Sequence, residues 1–506
     1  MDTKLLKQKI LGLAIRGKLV PQDPNDEPAS ILLEKIRKEK QELIKQGKIK
    51  KDKNESTIFI GDDKQHYEKF ADGTIKNIEN EIPFDIPDTW CWCRLKDLGD
   101  IVAGGTPDTK NLNYWNGDIN WLTPADLSGY KDKYITCGER KISFDGLKHS
   151  SAQLIQPQSV LFSSRAPIGY CVINLESITT NQGFKSIDNI DKRMTEYIYY
   201  YLKYVTPTIV NNASGTTFKE ISGAKFSQTL FLLPPLAEQQ RIVNKIEELF
   251  AQVDKIEEEK QSLLKLIDKT KDKVLDLAMK GKLVKQDPGD EPASVLLEKI
   301  YEEKKKLAKE GKIKLSKDEL LEPKISDDND YYQDIPSNWI VTKLKNIGIW
   351  GAGSTPNRQV KEYYNKGTIP WIKTGELNNN IVLDSEEKIT NFALQKCNLR
   401  FNKIGNVLIA MYGATIGKLG IAGIELTTNQ ACCGCEPFIY NKYLFFYLMS
   451  IKENLIRQGS GGAQPNISKE IIINNYIILP PINEQKRIVD TIENLLNKIE
   501  QIKGSL

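Results

Sequence analysis

The sequence predicts a mixed α/β (α+β) fold: two globular units joined by a long antiparallel coiled coil, arranged as a circular pseudo-two-fold repeat. The first observation behind this is the stretch 237–280, which reads as one helix. Apolar residues recur at Ile242, Ile246, Leu249, Val253, Ile256, Leu263, Ile267, Val274 and Leu277. With Lys260 and Thr270 filled in, the steps alternate four and three, the seam of a coiled coil, parallel or antiparallel. Pro234 and Pro235 bar helical continuation backwards and Gly281 offers a stop. A helix with one narrow apolar seam needs a partner to bury it.

The second observation is that the partner lies in the chain itself. Leu-Pro-Pro-Leu-Ala-Glu-Gln-Gln-Arg-Ile-Val at 233–243 recurs as Leu-Pro-Pro-Ile-Asn-Glu-Gln-Lys-Arg-Ile-Val at 479–489, and the seam continues through Ile488, Ile492, Leu495, Ile499 and Ile502. That copy ends at Leu506, which aligns with Lys260. The third observation supplies the missing half: residues 17–36 repeat residues 281–300, and Leu6, Ile10 and Leu13 take the places of Thr270, Val274 and Leu277. A two-fold repeat cut open inside one helix can close on itself, with the long helix beside a composite of the two terminal ones.

A length of 506 residues suggests three or so folding units. No run reaches the roughly 18 apolar residues of a membrane span, and the start carries no signal-peptide pattern, so a cytoplasmic protein is expected. Eight cysteines without paired spacing fit a reducing compartment. Cys432, Cys433 and Cys435 imitate a metal cluster, but the aligned place in the first half holds no thiol, so buried strand cysteines are expected and no metal. The net charge of +4 excludes a simple polycation; by counting, 90–233 carries roughly +2 and 339–478 roughly +6.

In chain order, residues 1–50 form two helices around a Pro-punctuated turn and 51–81 read as a polar linker. A first globular unit spans 82–235, a central helical region 236–322, a second linker 323–334, a second globular unit 335–480, and a final helix 481–506. Landmarks recur in order in the two globular units. Gly105-Thr-Pro107 matches Ser354-Thr-Pro356, Trp121 matches Trp371, and Thr179-Thr-Asn-Gln182 matches Thr427-Thr-Asn-Gln430. Short β-rich runs broken by Gly and Pro argue an irregular sheet in each. Trp90, Trp121, Trp339 and Trp371 recur at matched places and read as core.

Two diverged globular domains alternating with near-identical helices, each domain ending in Pro-Pro-x-x-Glu-Gln-x-Arg-Ile-Val, resemble the DNA-specificity subunit of a type I restriction–modification enzyme over essentially the whole chain. The resemblance implies that each globular unit is a target recognition domain reading one half of an asymmetric, gapped site in double-stranded DNA. It implies that the helices fix the gap and hold two methyltransferase subunits, with translocase–nuclease (restriction) subunits added. It implies no catalysis and no cofactor in this chain; S-adenosylmethionine, ATP and magnesium are expected in the partner subunits. Two readers on a rigid helical spacer would impose a half-site spacing, and unlike readers a non-palindromic site. Competing readings are a coiled-coil adaptor that binds no DNA, and the specificity subunit of a related system that cleaves on both sides of its site.

Chemistry of the chain's own has little support. The Pro-Pro pairs sit among apolar neighbours at helix starts, only His66 and His149 exist, and 351–356 lacks the third glycine of a cofactor loop. Gly413-Ala-Thr-Ile-Gly-Lys418 is one residue short of a phosphate-loop spacing and reads as a tight turn with Lys418 free for a phosphate.

Candidate DNA contacts fall in two classes. Residues identical in both units cannot tell two half-sites apart, so Thr106, Asn181 and Gln182, like Thr355, Asn429 and Gln430, are expected to hold the fold or touch the DNA backbone. Base reading should lie where matched loops differ, above all at Arg165 against Tyr412: the first can donate twice to guanine, the second can stack or donate once, with a surface salt bridge as the alternative for Arg165. Lys131, Lys133, Arg140, Arg358 and Lys373 lie in the most divergent stretches, and the Gly-rich loops add Thr216, Lys219, Gln464, Asn466 and Lys469. Glu238, Gln239 and Arg241, with Glu484, Gln485 and Arg487, are expected on the helix surface as partner contacts; the alternative is that they only cap and pair within the helix.

Overall fold

The computed structural model describes residues 2–52, 55–215, 219–315, 335–397, 399–459 and 466–506. It divides into two units, Met1–Glu259 and Lys260–Leu506, and the division falls inside one helix, Leu236–Met279. At 1.5 Å per residue its 44 residues extend about 66 Å. The helix starts directly after Pro234 and Pro235, where the Gln239 side chain donates back to the Pro234 carbonyl at 2.9 Å. It stops at Gly281, whose φ of +67° is the left-handed conformation that favours glycine, with Lys282 N–H returning to the Leu277 carbonyl.

In the first unit the helix Thr3–Ile15, capped by the Asp2 carboxylate, runs antiparallel to the first half of the long helix. Thr3 donates to Glu257 at 3.1 Å and Lys7 to Asp254 at 2.6 Å. Ile10, Leu11, Ala14 and Ile15 share a buried cluster with Ile242, Val243, Ile246 and Val253. In the second unit the helix Ile482–Ser505 contributes Ile488, Val489, Ile492 and Ile499 to a cluster with Ile267 and Val274 of the long helix, and Lys271 pairs with Glu500. Ile256 and Leu263, assigned to the same seam, are 43% and 37% exposed, because each neighbouring helix ends near their level.

The globular part of each unit is built on one plan. In the first, a five-stranded sheet runs in the order Gly99–Ala103, Lys185–Asn189, Val160–Ser164, Ile168–Asn174, Tyr134–Ile135, antiparallel except for its last pair. In the second the order is Gly348–Ala352, Cys432–Pro437, Val407–Ala410, Leu419–Ala422, Asn380–Val382, again with one parallel pair at the end. A smaller sheet stands beside each, centred on Trp115–Leu122 and on Ile369–Ile372. A helix packs on each large sheet, Thr195–Asn212 and Asn441–Ser450, and a two-stranded ladder leads into the Pro-Pro helix start, Cys91–Arg94 with Leu230–Leu233 and Ile340–Lys343 with Tyr476–Leu479. The matched tryptophans are buried, at most 5% exposed. Cys432 faces one side of its strand, among Ile372, Leu408 and Ala410, while Cys433 and Cys435 face the other, as period-two alternation requires. Burial pushes the Cys433 thiol up to about 12.

The stretch 51–81 departs from the expected linker. Ser56–Ile60, His66–Phe70 and Ile75–Asn77 form an antiparallel sheet, with turns through Lys64 and Gly73 at positive φ. Its buried side chains are polar: Glu68 accepts from Ser56 and is paired with Arg94 at 2.6 Å, and Arg94 also reaches Glu81. Hydropathy gave little sign of a core there because an ion pair shares it with a lone buried apolar side chain among the described residues, Ile78. The second expected linker, 323–334, lies outside the described residues.

Candidate nucleic-acid interface

The repeated helix-start motif is an internal clasp. The Glu238 carboxylate accepts from the Trp90 indole at 2.8 Å and from Gln22 at 2.6 Å; in the second unit Glu484 accepts from Trp339 at 2.9 Å and Gln286 at 2.6 Å. Arg241 forks onto Asp26 and Arg487 onto Asp290. Gln239 and Gln485 donate to Pro234 and Pro480, and Gln485 accepts from the Tyr440 backbone. The expectation of a surface site is therefore corrected: Glu238, Gln239, Glu484 and Gln485 are at most 1% exposed. They join the Gln-Asp-Pro turn and the tryptophan that opens each globular unit to the helix start, which goes beyond capping. Burial raises both glutamate pKa values against the indole and amide bonds that lower them. Only the two arginines keep an exposed edge, with 36% and 37% of their side chains accessible.

The shared loop and the shared Thr-Thr-Asn-Gln turn form one frame in each unit. Thr179 donates to the Asn120 carbonyl and Thr427 to that of Pro370; Trp121 donates to Gly105 and Trp371 to Ser354. A Cβ on Gly104 would stand 1.9 Å from the Asn181 carbonyl oxygen, and one on Gly353 2.2 Å from that of Thr428. Asn181 accepts from the Gly183 N–H inside its own turn, and the Asn429 backbone donates to Ile372. At the surface of the frame Thr106 meets Gln182 and Thr355 meets Gln430 in the same bonded pair.

Beside this frame lies the turn end of the strand pair Val160–Ser164 with Ile168–Asn174, and in the second unit that of Val407–Ala410 with Leu419–Ala422. Arg165 forms an antiparallel bridge with Glu220 and Tyr412 with Asn466, so the backbone places Arg165 and Tyr412 in equivalent positions. The Arg165 guanidinium and the Lys185 ammonium each lie 3.9 Å from the Glu220 carboxylate, and Lys185 donates to the Gln182 carbonyl at 3.2 Å. Thr106, Gln182 and Arg165 therefore share one connected patch, with the exposed Lys219 next to Glu220 in sequence. In the second unit Thr355, Gln430, Tyr412 and Asn466 form its counterpart. Burial raises the Tyr412 phenol, and a bond from Gln430 opposes it. Thr216 and Gln464 lie outside the described residues.

The remaining candidates divide. Lys131 is exposed. Lys133 is engaged: it bonds Glu196 at 2.5 Å and also Glu247 of the long helix, and these carboxylates outweigh burial and raise its pKa. It ties the globular part of the first unit to its helix, as Lys442 does through Glu493 at 2.7 Å in the second. Arg140 lies 3.6 Å above the Trp115 ring. Arg358 pairs with Glu387 over Tyr364 and Trp371, and Lys373 bonds Glu386 at 2.8 Å. Lys418 follows the tight turn Gly413–Thr415 and reaches Asn378 at 3.3 Å, and Lys469 pairs with Glu470 at 3.7 Å. Sequence reasoning passes over Glu220 and Lys185, which complete this patch. Glu220 aligns with Asn466, but a search for cations and amides skips an acid.

Among the described residues no helix is long and apolar enough to cross a membrane, and no group of three or more His, Cys, Asp or Glu could hold a metal. The family model for the type I restriction modification DNA specificity domain matches twice, at 87–266 and 336–506. The chain is 28% identical to the type I restriction enzyme MjaIX specificity subunit of Methanocaldococcus jannaschii, over 82% of this chain and 88% of that one. It is 27% identical to the EcoEI specificity subunit of Escherichia coli, over 99% and 90%. A chain solved in a study of assembly and conformational transition of the type I R-M system has the same fold at a TM-score of 0.54, with 18% identity over 84% of this chain and 94% of that one. With both domain matches falling on the two matched frames, the chain belongs to the type I restriction–modification DNA specificity family, as a specificity subunit whose general role is DNA recognition.

Proposed function

We propose that each globular domain reads one half of an asymmetric, gapped site in double-stranded DNA, and that the helices form an antiparallel coiled-coil spacer that completes a circular pseudo-two-fold repeat. The observation that carries this reading is the matched frame. The same bridge presents Arg165 in one unit and Tyr412 in the other, so equivalent scaffolds carry unlike reading side chains. The shared Thr106–Gln182 and Thr355–Gln430 pairs suit phosphate oxygens, which fix register without reading sequence. Two methyltransferase subunits dock on the exposed faces of the helices, and restriction–translocase subunits join them. S-adenosylmethionine, ATP and magnesium serve those partners, while this chain contributes recognition without catalysis, in the cytoplasm.

The test is co-expression with the cognate methyltransferase subunit and mapping of modified adenines across the host DNA. A gapped, asymmetric motif that vanishes when this chain is omitted is the expected result. A soluble complex that leaves no new modification would refute DNA reading by this chain.

A further inference from the structure

The two frames differ in side-chain charge at one connected place where the bridging backbone bonds match, although the turn that follows is a cis Ala166–Pro167 bond in the first unit and a one-residue-longer turn through Gly413–Thr415 in the second. Besides the bridges at Arg165 and Tyr412, Ile221 N–H donates to the Ser164 carbonyl and Ile467 N–H to that of Met411, at 3.1 and 2.8 Å. The adjacent strand sets Lys185 opposite Ala103 in one unit and Cys433 opposite Ala352 in the other. Three matched positions therefore change together: Arg165, Lys185 and Glu220 become Tyr412, Cys433 and Asn466. The first set is wholly charged and the second carries no formal charge.

Within the charged set the 3.9 Å separations are ion-pair distances beyond hydrogen-bond range, so neither Arg165 nor Glu220 spends its hydrogen-bonding edge on the other. Both side chains are well exposed, at 38% and 43%. An exposed acid on a DNA-reading face is repelled by phosphates, and among base edges in the major groove it can only accept, from the amino group of cytosine or adenine. An arginine beside it donates to guanine N7 and O6. Guanine O6 and cytosine N4 are bonded to each other, so they lie roughly 3 Å apart, the same scale as the gap between the two side chains. Lys185, with 11% of its side chain accessible, sets a positive charge behind the carboxylate and offsets its repulsion from the duplex. The neutral set has the opposite preference. The Asn466 amide offers one donor and one acceptor, the pattern of adenine N6 and N7, and the Tyr412 ring offers apolar surface to a thymine methyl.

We propose that this triplet is the base-pair discriminator of each domain: Arg165 and Glu220 together read a G·C pair, and Tyr412 and Asn466 read an A·T pair at the equivalent place in the other half-site. The proposal rests on the DNA-reading function above and names the substrate features that function uses.

The experiment compares the adenine-modification motif written by the full chain with its methyltransferase subunit for wild type, for Arg165→Tyr with Glu220→Asn, and for Glu220→Gln. Wild type is expected to require a G·C pair in the half-site assigned to domain 82–235, with modification falling roughly 5- to 150-fold when that pair is A·T. The double variant is expected to reverse that preference and leave the other half-site unchanged. Glu220→Gln alters one exposed carboxylate and so keeps the fold should the double variant fail; it is expected to relax the same position at least 5-fold. A wild-type motif that both variants write unchanged overturns the proposal and leaves DNA reading intact. A wild type that writes no motif removes both.

Discussion

Replacing Glu238 with alanine tests the internal clasp. The carboxylate accepts from Trp90, which is 5% exposed, and from Gln22, which lies at the surface. Without the acceptor the buried indole N–H is orphaned, at a cost of about 1–3 kcal/mol, whereas the Gln22 amide turns to water at a cost below about 1 kcal/mol. Removing a buried carboxylate whose pKa burial has raised returns part of its desolvation. The net is about 2 kcal/mol, or roughly 30-fold in the local opening equilibrium. Glu238→Gln keeps an oxygen for the indole, and Gln22 can present its carbonyl to the new amide, so the loss should stay below about 1 kcal/mol. Hydrogen exchange by mass spectrometry on the full chain reads this without assuming a single unfolding step. Peptides around Trp90 and 233–246 should exchange roughly 30-fold faster in Glu238→Ala and less than 5-fold faster in Glu238→Gln. Peptides around Trp339 should not change, since distant sites act independently. Equal effects of the two substitutions, or acceleration at Trp339, would refute the clasp.

Further outcomes follow from the same contacts. Because Lys133 is held by Glu196 and Glu247, Lys133→Ala should leave the salt dependence of DNA affinity unchanged in the assembled complex, while Lys219→Ala, which removes an exposed cation beside the patch, should lower the slope of log K against log salt by about 1. Gly104→Ala sets a methyl 1.9 Å from a carbonyl oxygen and should destabilise the first domain by about 1–3 kcal/mol in a thermal melt, while Gly129→Ala, with open space around it, loses only its favourable positive φ. Glu68 is held below its ordinary pKa, because the Arg94 and Ser56 bonds outweigh the opposing effect of burial. The stability it contributes is therefore present above the ordinary carboxylate range and lost as pH falls through the depressed value. Melting curves of the wild type should fall with acid more steeply than those of Glu68→Gln, and parallel curves would contradict the pairing.

The long helix and the repeat were legible because the signals are local and periodic: the seam from Ile242 to Leu277 and the Pro-Pro start mark a helix whatever surrounds them. The equivalent sheets followed from landmarks such as Trp121 and Trp371 that recur in order. Partner choice was harder to read. Glu238 and Gln239 look like surface residues by type, and only the fold brings Gln22 and Trp90, far away in sequence, to them. The small sheet at 56–77 hid because its buried strand side chains are Ser56 and Glu68, the latter paired with Arg94, which hydropathy scores as solvent. Lys133 and Arg358 stand out in the sequence as cations in divergent stretches, but charge alone does not reveal that Glu247 and Glu387 already hold them.

The most direct test of the central claim, that each domain reads one half-site, is a domain exchange. Residues 82–235 are replaced by the matched domain of another chain of this family, and modified adenines are mapped with the same methyltransferase subunit. The account predicts that one half of the motif changes while the other half and the gap stay the same. A motif that changes in both halves, or in neither, would contradict it.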